Sequence, residues 1–132
     1  HMKAGKPVAF AILEGKPVFA LPGNPAAAMI SFEVFVRPAL LKMTGHTRIF
    51  RPTVTAALTE PIANKGDRPH LIRVRVEARQ DGYVASATGN QSSARLSSLT
   101  AANGFMTIAP GTTLSSGESV VVSLLDRPEV LP

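Results

Sequence analysis

The chain has 132 residues, enough for one ordinary domain or two small pieces of domains, and 45% of them are apolar, too many for a disordered chain. It has no Cys, which excludes disulfides, thiolate zinc sites and a cysteine nucleophile and makes the cytoplasm the expected compartment. The formal charge is +5, and residues 48–95 carry eight basic side chains against four acidic ones, so that surface should attract anions.

His1-Met2 reads as an expression scar, with the natural chain expected to begin upstream. Residues 8–13 and 18–21 are short apolar runs separated by Gly15 and Pro17, which predicts two neighbouring strands. Leu21-Pro22-Gly23-Asn24-Pro25 follows. Asn24 suits an N-cap, and Pro25 suits the first helical position because its missing N–H would be unpaired there. Residues 26–36 are helical in composition. Pro38 cannot continue that helix without losing a backbone hydrogen bond, so a break or kink is expected at Arg37-Pro38. A second helical stretch over 39–43 ends at Gly45, a natural C-cap.

After Gly45 the pattern changes. Residues 46–52 form a basic connector without a period, read as a hinge. Residues 53–58 predict a strand and 61–69 a polar loop. Over 70–79, Ile72, Val74, Val76 and Ala78 alternate with Arg73, Arg75, Glu77 and Arg79, the pattern of a half-buried strand with a charged outer face. Asp81-Gly82 predicts a hairpin turn and 83–87 its return strand. A short helix is expected over 94–102, ended by Asn103-Gly104, with further strands over 105–109 and 120–125. Two strands and a helix cannot bury both faces of a sheet, so the part before Gly45 reads as the end of a larger unit.

Three segments carry chemistry suited to oxyanions. Lys3 and Lys6 flank Gly5, combining ammonium groups with backbone N–H donors. Gly23, Asn24 and Pro25 stand at a strand-to-helix junction, where a helix start favours an anion. Arg73, Arg95 and Ser98 offer guanidinium and hydroxyl groups, the last two on one helical face. The competing readings are a solvated terminus, an ordinary capped helix and surface arginines. No Ser-His-Asp spacing, His pair or carboxylate cluster points to acid–base or metal chemistry, and the catalytic residues stay unassigned.

Read in order, several strings resemble the C-terminal part of the molybdopterin molybdotransferase family, which includes the E domain of gephyrin. They are Lys3-Ala4-Gly5-Lys6-Pro7, Leu21-Pro22-Gly23-Asn24-Pro25-Ala26, Phe35-Val36-Arg37-Pro38, and the stretch from Gly89-Asn90-Gln91-Ser92 through Arg95 and Ser98 to Asn103-Gly104. Ala4 departs from the family's usual Pro and Ala26-Ala27 from its Val-Ser, but neither change removes a charge.

The resemblance implies that residues 3–48 are the C-terminal part of an α/β molybdopterin-binding-like domain and residues 49–132 a small, mostly antiparallel β-barrel-like domain. It implies a molybdate site on Lys3, Lys6, Pro7, Arg73 and Ser98, with Gly23, Asn24, Pro25 and Arg95 near the pterin nucleotide. It also implies a transferase that inserts molybdate into adenylylated molybdopterin, releasing AMP and molybdenum cofactor, with Mg2+ in the full-length, homodimeric enzyme. The family's Gly-Asp-rich pterin and magnesium motif is not in this sequence, so no metal site is expected here and the chain by itself is expected to be inactive. Two other readings stand beside this one: an anion- or nucleic-acid-binding β domain, and a protein-interaction scaffold module. With Tyr83 and Phe105 as the main aromatics of the β part, stacking on nucleic acid is disfavoured, and no apolar run reaches the roughly 18 residues a membrane helix needs.

Overall fold

The structure, a computed structural model, describes residues 8–89, 100–127 and 129–130, the last two by their backbone. Lys3, Lys6, Pro7, Arg95 and Ser98, and the body of the helix expected over 94–102, fall outside the described residues.

Strands β1 (Ala9–Leu13) and β2 (Lys16–Ala20) pair antiparallel, with Leu13 opposite Lys16. The two-residue turn between them is Glu14-Gly15, both at positive φ (51° and 75°), the primed geometry whose twist matches a hairpin. Phe10 faces Phe19 across the ladder, their ring centroids 5.0 Å apart. Every residue of β1 is exposed, including Phe10, Ile12 and Leu13.

Helix α1 (Pro25–Ser31) starts on Asn24 and runs without a break into α2 (Arg37–Met43). The expected interruption at Arg37-Pro38 is replaced by a π-helical turn over Phe32–Val36, in which the Arg37 N–H donates to the Phe32 carbonyl five residues back. The wider turn accommodates a proline that has no N–H and whose ring would crowd an ordinary α turn. At the far end, Gly45 takes φ 84°, its N–H donates to Lys42 at 3.1 Å, and the His46 N–H donates to Leu41 at 2.9 Å. That is a Schellman closure, which a left-handed glycine makes without strain.

The rest is a β barrel. Strands β3 (Thr53–Leu58), β5 (His70–Arg79), β6 (Gly82–Ala87), β7 (Gly104–Ile108) and β9 (Ser119–Leu124) pair in the closed order β5-β6-β3-β9-β7-β5. All these pairings are antiparallel except β3 with β6. Closure removes free sheet edges. β10 (Glu129–Val130) adds a short parallel pairing to β5 at Glu77 and Ala78. Inside lie Ile72, Val74, Val76, Ala56, Leu58, Ala85, Met106, Ile108, Val120, Val122 and Leu124, one contiguous core of aliphatic side chains and Met.

Three expectations change. The polar loop over 61–69 contains β4 (Ile62–Asn64), which pairs with β8 (Thr112–Leu114); three residues are too few to show a period. Gly104, expected only as a helix terminator, also opens β7, where a methyl group would meet Val122 Cγ1 at 2.7 Å and the Ser123 carbonyl at 3.0 Å. The outer side of β5 is also not uniformly solvated, because Leu71 and Arg73 are both buried.

Candidate functional site

At the strand-to-helix junction, Asn24 is committed to its own helix. Its side-chain oxygen accepts from the Ala26 and Ala27 N–H groups at 3.2 and 3.3 Å, and its carbonyl accepts from Ala28 at 2.8 Å. The first N–H groups of the helix are therefore satisfied locally. Gly23 and Pro25 are exposed beside it, and a side chain built on Gly23 would meet open space.

Arg73 stands on the barrel wall with 3% exposure, the most buried charged side chain among the described residues. Its main chain is held from both edges. On one side it pairs with Phe105 of β7; on the other, the Thr88 N–H and hydroxyl both donate to its carbonyl, at 3.1 and 3.3 Å. Burial lowers the Arg73 pKa from the ordinary arginine value, because a desolvated guanidinium loses hydration that favours its charge. The group is still a cation at neutral pH. Further along the same outer face, Glu77 lies 4.0 Å from Arg75 and 3.6 Å from Arg79, so a carboxylate offsets that part of the basic row.

Both stems of the chain between β6 and β7 are tied to β5. Thr88 holds one at Arg73. At the other, the Asn103 side chain bonds both the N–H and the carbonyl of Val76, and Arg75 Nη1 donates to the Ala101 carbonyl at 3.1 Å. Thr88 was missed in the sequence because a lone Thr at a strand end carries no pattern. Asn103 was read only as the end of a helix.

A third feature is a cleft of about 510 Å³ between the hairpin and the helix, lined by Lys16, Phe19, Leu21, Val36, Leu40 and Met43. Its walls are apolar, with Lys16 the only charge among the described residues that line it. The sequence-predicted residues thus lie in separate places: Arg73 on the barrel wall, and Gly23, Asn24 and Pro25 at the helix start. Among the described residues no three His, Asp or Glu side chains gather as metal ligands, and no helix is long and apolar enough to cross a membrane.

Residues 55–125 match the family model described as the MoeA C-terminal region (domain IV). The chain is 36% identical over 107 residues to molybdopterin molybdenumtransferase 2 of Mycobacterium tuberculosis, covering 81% of this chain and 26% of that protein. It is 34% identical over 106 residues to the molybdenum cofactor synthesis protein cinnamon of Drosophila melanogaster, covering 78% and 17% respectively. In structure it is similar to the molybdopterin biosynthesis MoeA protein of Pyrococcus horikosii, with a TM-score of 0.77 and 29% identity, covering 96% of this chain and 30% of that one. The chain thus spans between 17% and 30% of the length of these relatives.

Proposed function

The chain belongs to the MoeA family, in its C-terminal region, and we propose that it supplies the barrel side of an oxyanion site in a molybdotransferase that inserts molybdate into adenylylated molybdopterin, with release of AMP. The observation that carries this reading is the buried guanidinium of Arg73 on the barrel wall. A guanidinium held in one place on the barrel wall is suited to charge-assisted hydrogen bonds with a dianion.

In this reading Arg73 and Ser98 hold molybdate from the barrel, and Lys3, Lys6 and the Pro7 segment hold it from the preceding unit. Gly23, Asn24, Pro25 and Arg95 line the approach of the pterin nucleotide. These groups position two anions and neutralise their charge; the thiolates that receive the metal belong to the pterin substrate, so a protein without Cys can do this work. The described residues do not fit a magnesium site, so that ion would need carboxylates from elsewhere in the whole enzyme.

Residues 3–48 would then be the end of an α/β domain and 49–132 the C-terminal β domain. The exposed Phe10, Ile12, Leu13, Leu40 and Met43 support this, because a hairpin and one helix leave apolar faces that further strands would cover. The whole enzyme would be a cytoplasmic homodimer, and the isolated chain would not turn over.

The test is calorimetric titration of molybdate and of sulfate into the full-length protein. Arg73→Ala should weaken molybdate binding about tenfold or more, since a charged hydrogen bond contributes roughly 1.5–3 kcal/mol. Unchanged binding in a folded Arg73→Ala protein would refute the assignment.

A further inference from the structure

The connector between helix and barrel is short and exposed, yet both its ends are tied down. Arg51 closes on Glu33 as a fork, with Nε and Nη2 each 2.8 Å from a different carboxylate oxygen. The two side chains are only 26% and 12% exposed. Arg37, one turn along the helix from Glu33, lies 4.0 Å from the same carboxylate and donates its Nη1 to the Ile49 carbonyl at 3.3 Å. One helical carboxylate therefore gathers two guanidiniums, one belonging to the connector and the other gripping its backbone.

The barrel holds the neighbouring residue. The next carbonyl, that of Pro52, accepts from the Leu124 N–H at 2.9 Å, which anchors the main chain beside Arg51 to the end of β9. Arg51, Pro52, Leu124, Leu125 and Asp126 share one small cleft. The Arg51 pKa is raised above the ordinary arginine value, first by the hydrogen bond to Glu33, with the Glu33 and Asp126 charges adding to it and burial opposing. Among the described residues, no barrel strand packs extensively against the hairpin or helix. Among these residues, no broad apolar interface sets their relative orientation.

We infer that the Glu33–Arg51 pair, backed by Arg37, is an electrostatic latch that fixes the angle between the helical segment and the barrel and releases it when the pair is broken. An exposed ion pair would be too weak for this, but a forked, half-buried pair within a network is the kind that holds one geometry. The latch stands independently of the oxyanion site.

The test uses distance measurement by paired spin labels on the full 132-residue chain, which has no native Cys to interfere. Labels replace the exposed Met43 on the helix and Ser119 on the barrel. The parent chain should give one narrow distance distribution at low salt. Glu33→Gln and Arg51→Gln should each broaden it at least twofold, with circular dichroism confirming an intact barrel. Because the pair is half-buried, about 1 M NaCl, with a screening length of about 3 Å, should broaden the parent less than either substitution does. If the widths of parent and both variants coincide at low salt, the latch is wrong. If the variants do not fold, the parent decides by itself, and a broad distribution at low salt overturns the inference.

Discussion

The side chain of Asn103 does for Val76 what a neighbouring strand would do: its Oδ1 accepts from the Val76 N–H at 2.6 Å and its Nδ2 donates to the Val76 carbonyl at 2.8 Å. The position explains why. β7 pairs with β5 as far as Val74 and β10 takes up the pairing at Glu77, so Val76 falls in the gap. The Asn103 main chain adds bonds to Val74, Leu125 and Asp126. Asn103→Ala should strand both backbone groups of a residue with 0% exposure. The expected loss is about 2–4 kcal/mol, from two unsatisfied buried groups, read as a lower urea midpoint with an unchanged slope.

Gly104→Ala should destabilise the barrel by about 1–3 kcal/mol, because the added methyl has no free volume in front of Val122. Removing the Val122 methyls should return part of that. In a double-mutant cycle with Val122→Ala, the combined cost should fall below the sum of the single costs by at least about 0.5 kcal/mol. Strict additivity would show that the backbone contact with Ser123, not the valine, is the obstacle.

Asn64 locks the loop after β4. Its Nδ2 donates to the carbonyls of Arg68, Ile108 and Ala109 at 2.7, 3.1 and 3.2 Å, and its Oδ1 accepts from Gly66 at 3.1 Å. Asn64→Ala should free the loop and cost about 1–3 kcal/mol. Tryptic cleavage after Lys65 should accelerate by an order of magnitude or so relative to the parent, since local opening controls access. An equal rate in both would mean that the loop is held by something other than Asn64.

In the parent chain, trypsin should cut first after Arg48. That residue lies in exposed connector, while Lys65 sits in the loop that Asn64 locks, and the bond after Arg51 is closed to trypsin by Pro52. Mass spectrometry of the earliest products should therefore show a break at 48–49 before any at 65–66. An early product from within the barrel strands would count against the connector as the weakest point.

Much of this architecture is legible along the chain because it is local. Asn24 before Pro25 announces a helix start, Gly45 announces its end, and the alternation of Ile72, Val74 and Val76 announces one wall of a core. Each depends on residues within a turn or a strand of one another. Arg73 was named as a candidate anion ligand from its residue type and from the family resemblance. Its burial was not legible, because the alternation predicts only which side of a strand it leaves, not what covers that side.

What the sequence determined by itself is therefore most of the longer elements, their polarity and the family. The tertiary structure decided the rest, for reasons of distance along the chain. The closure of β5 on both β6 and β7 brings Thr88 and Phe105 to the two edges of Arg73. The absence of room at Gly104 comes from Val122, eighteen positions away in sequence, and the Glu33–Arg51 pair spans the same separation. Even the π turn before Pro38 is a compromise between a missing N–H and a helix kept continuous. Periodicity reports what each residue prefers beside its neighbours; packing and ion pairing select which distant residues become neighbours.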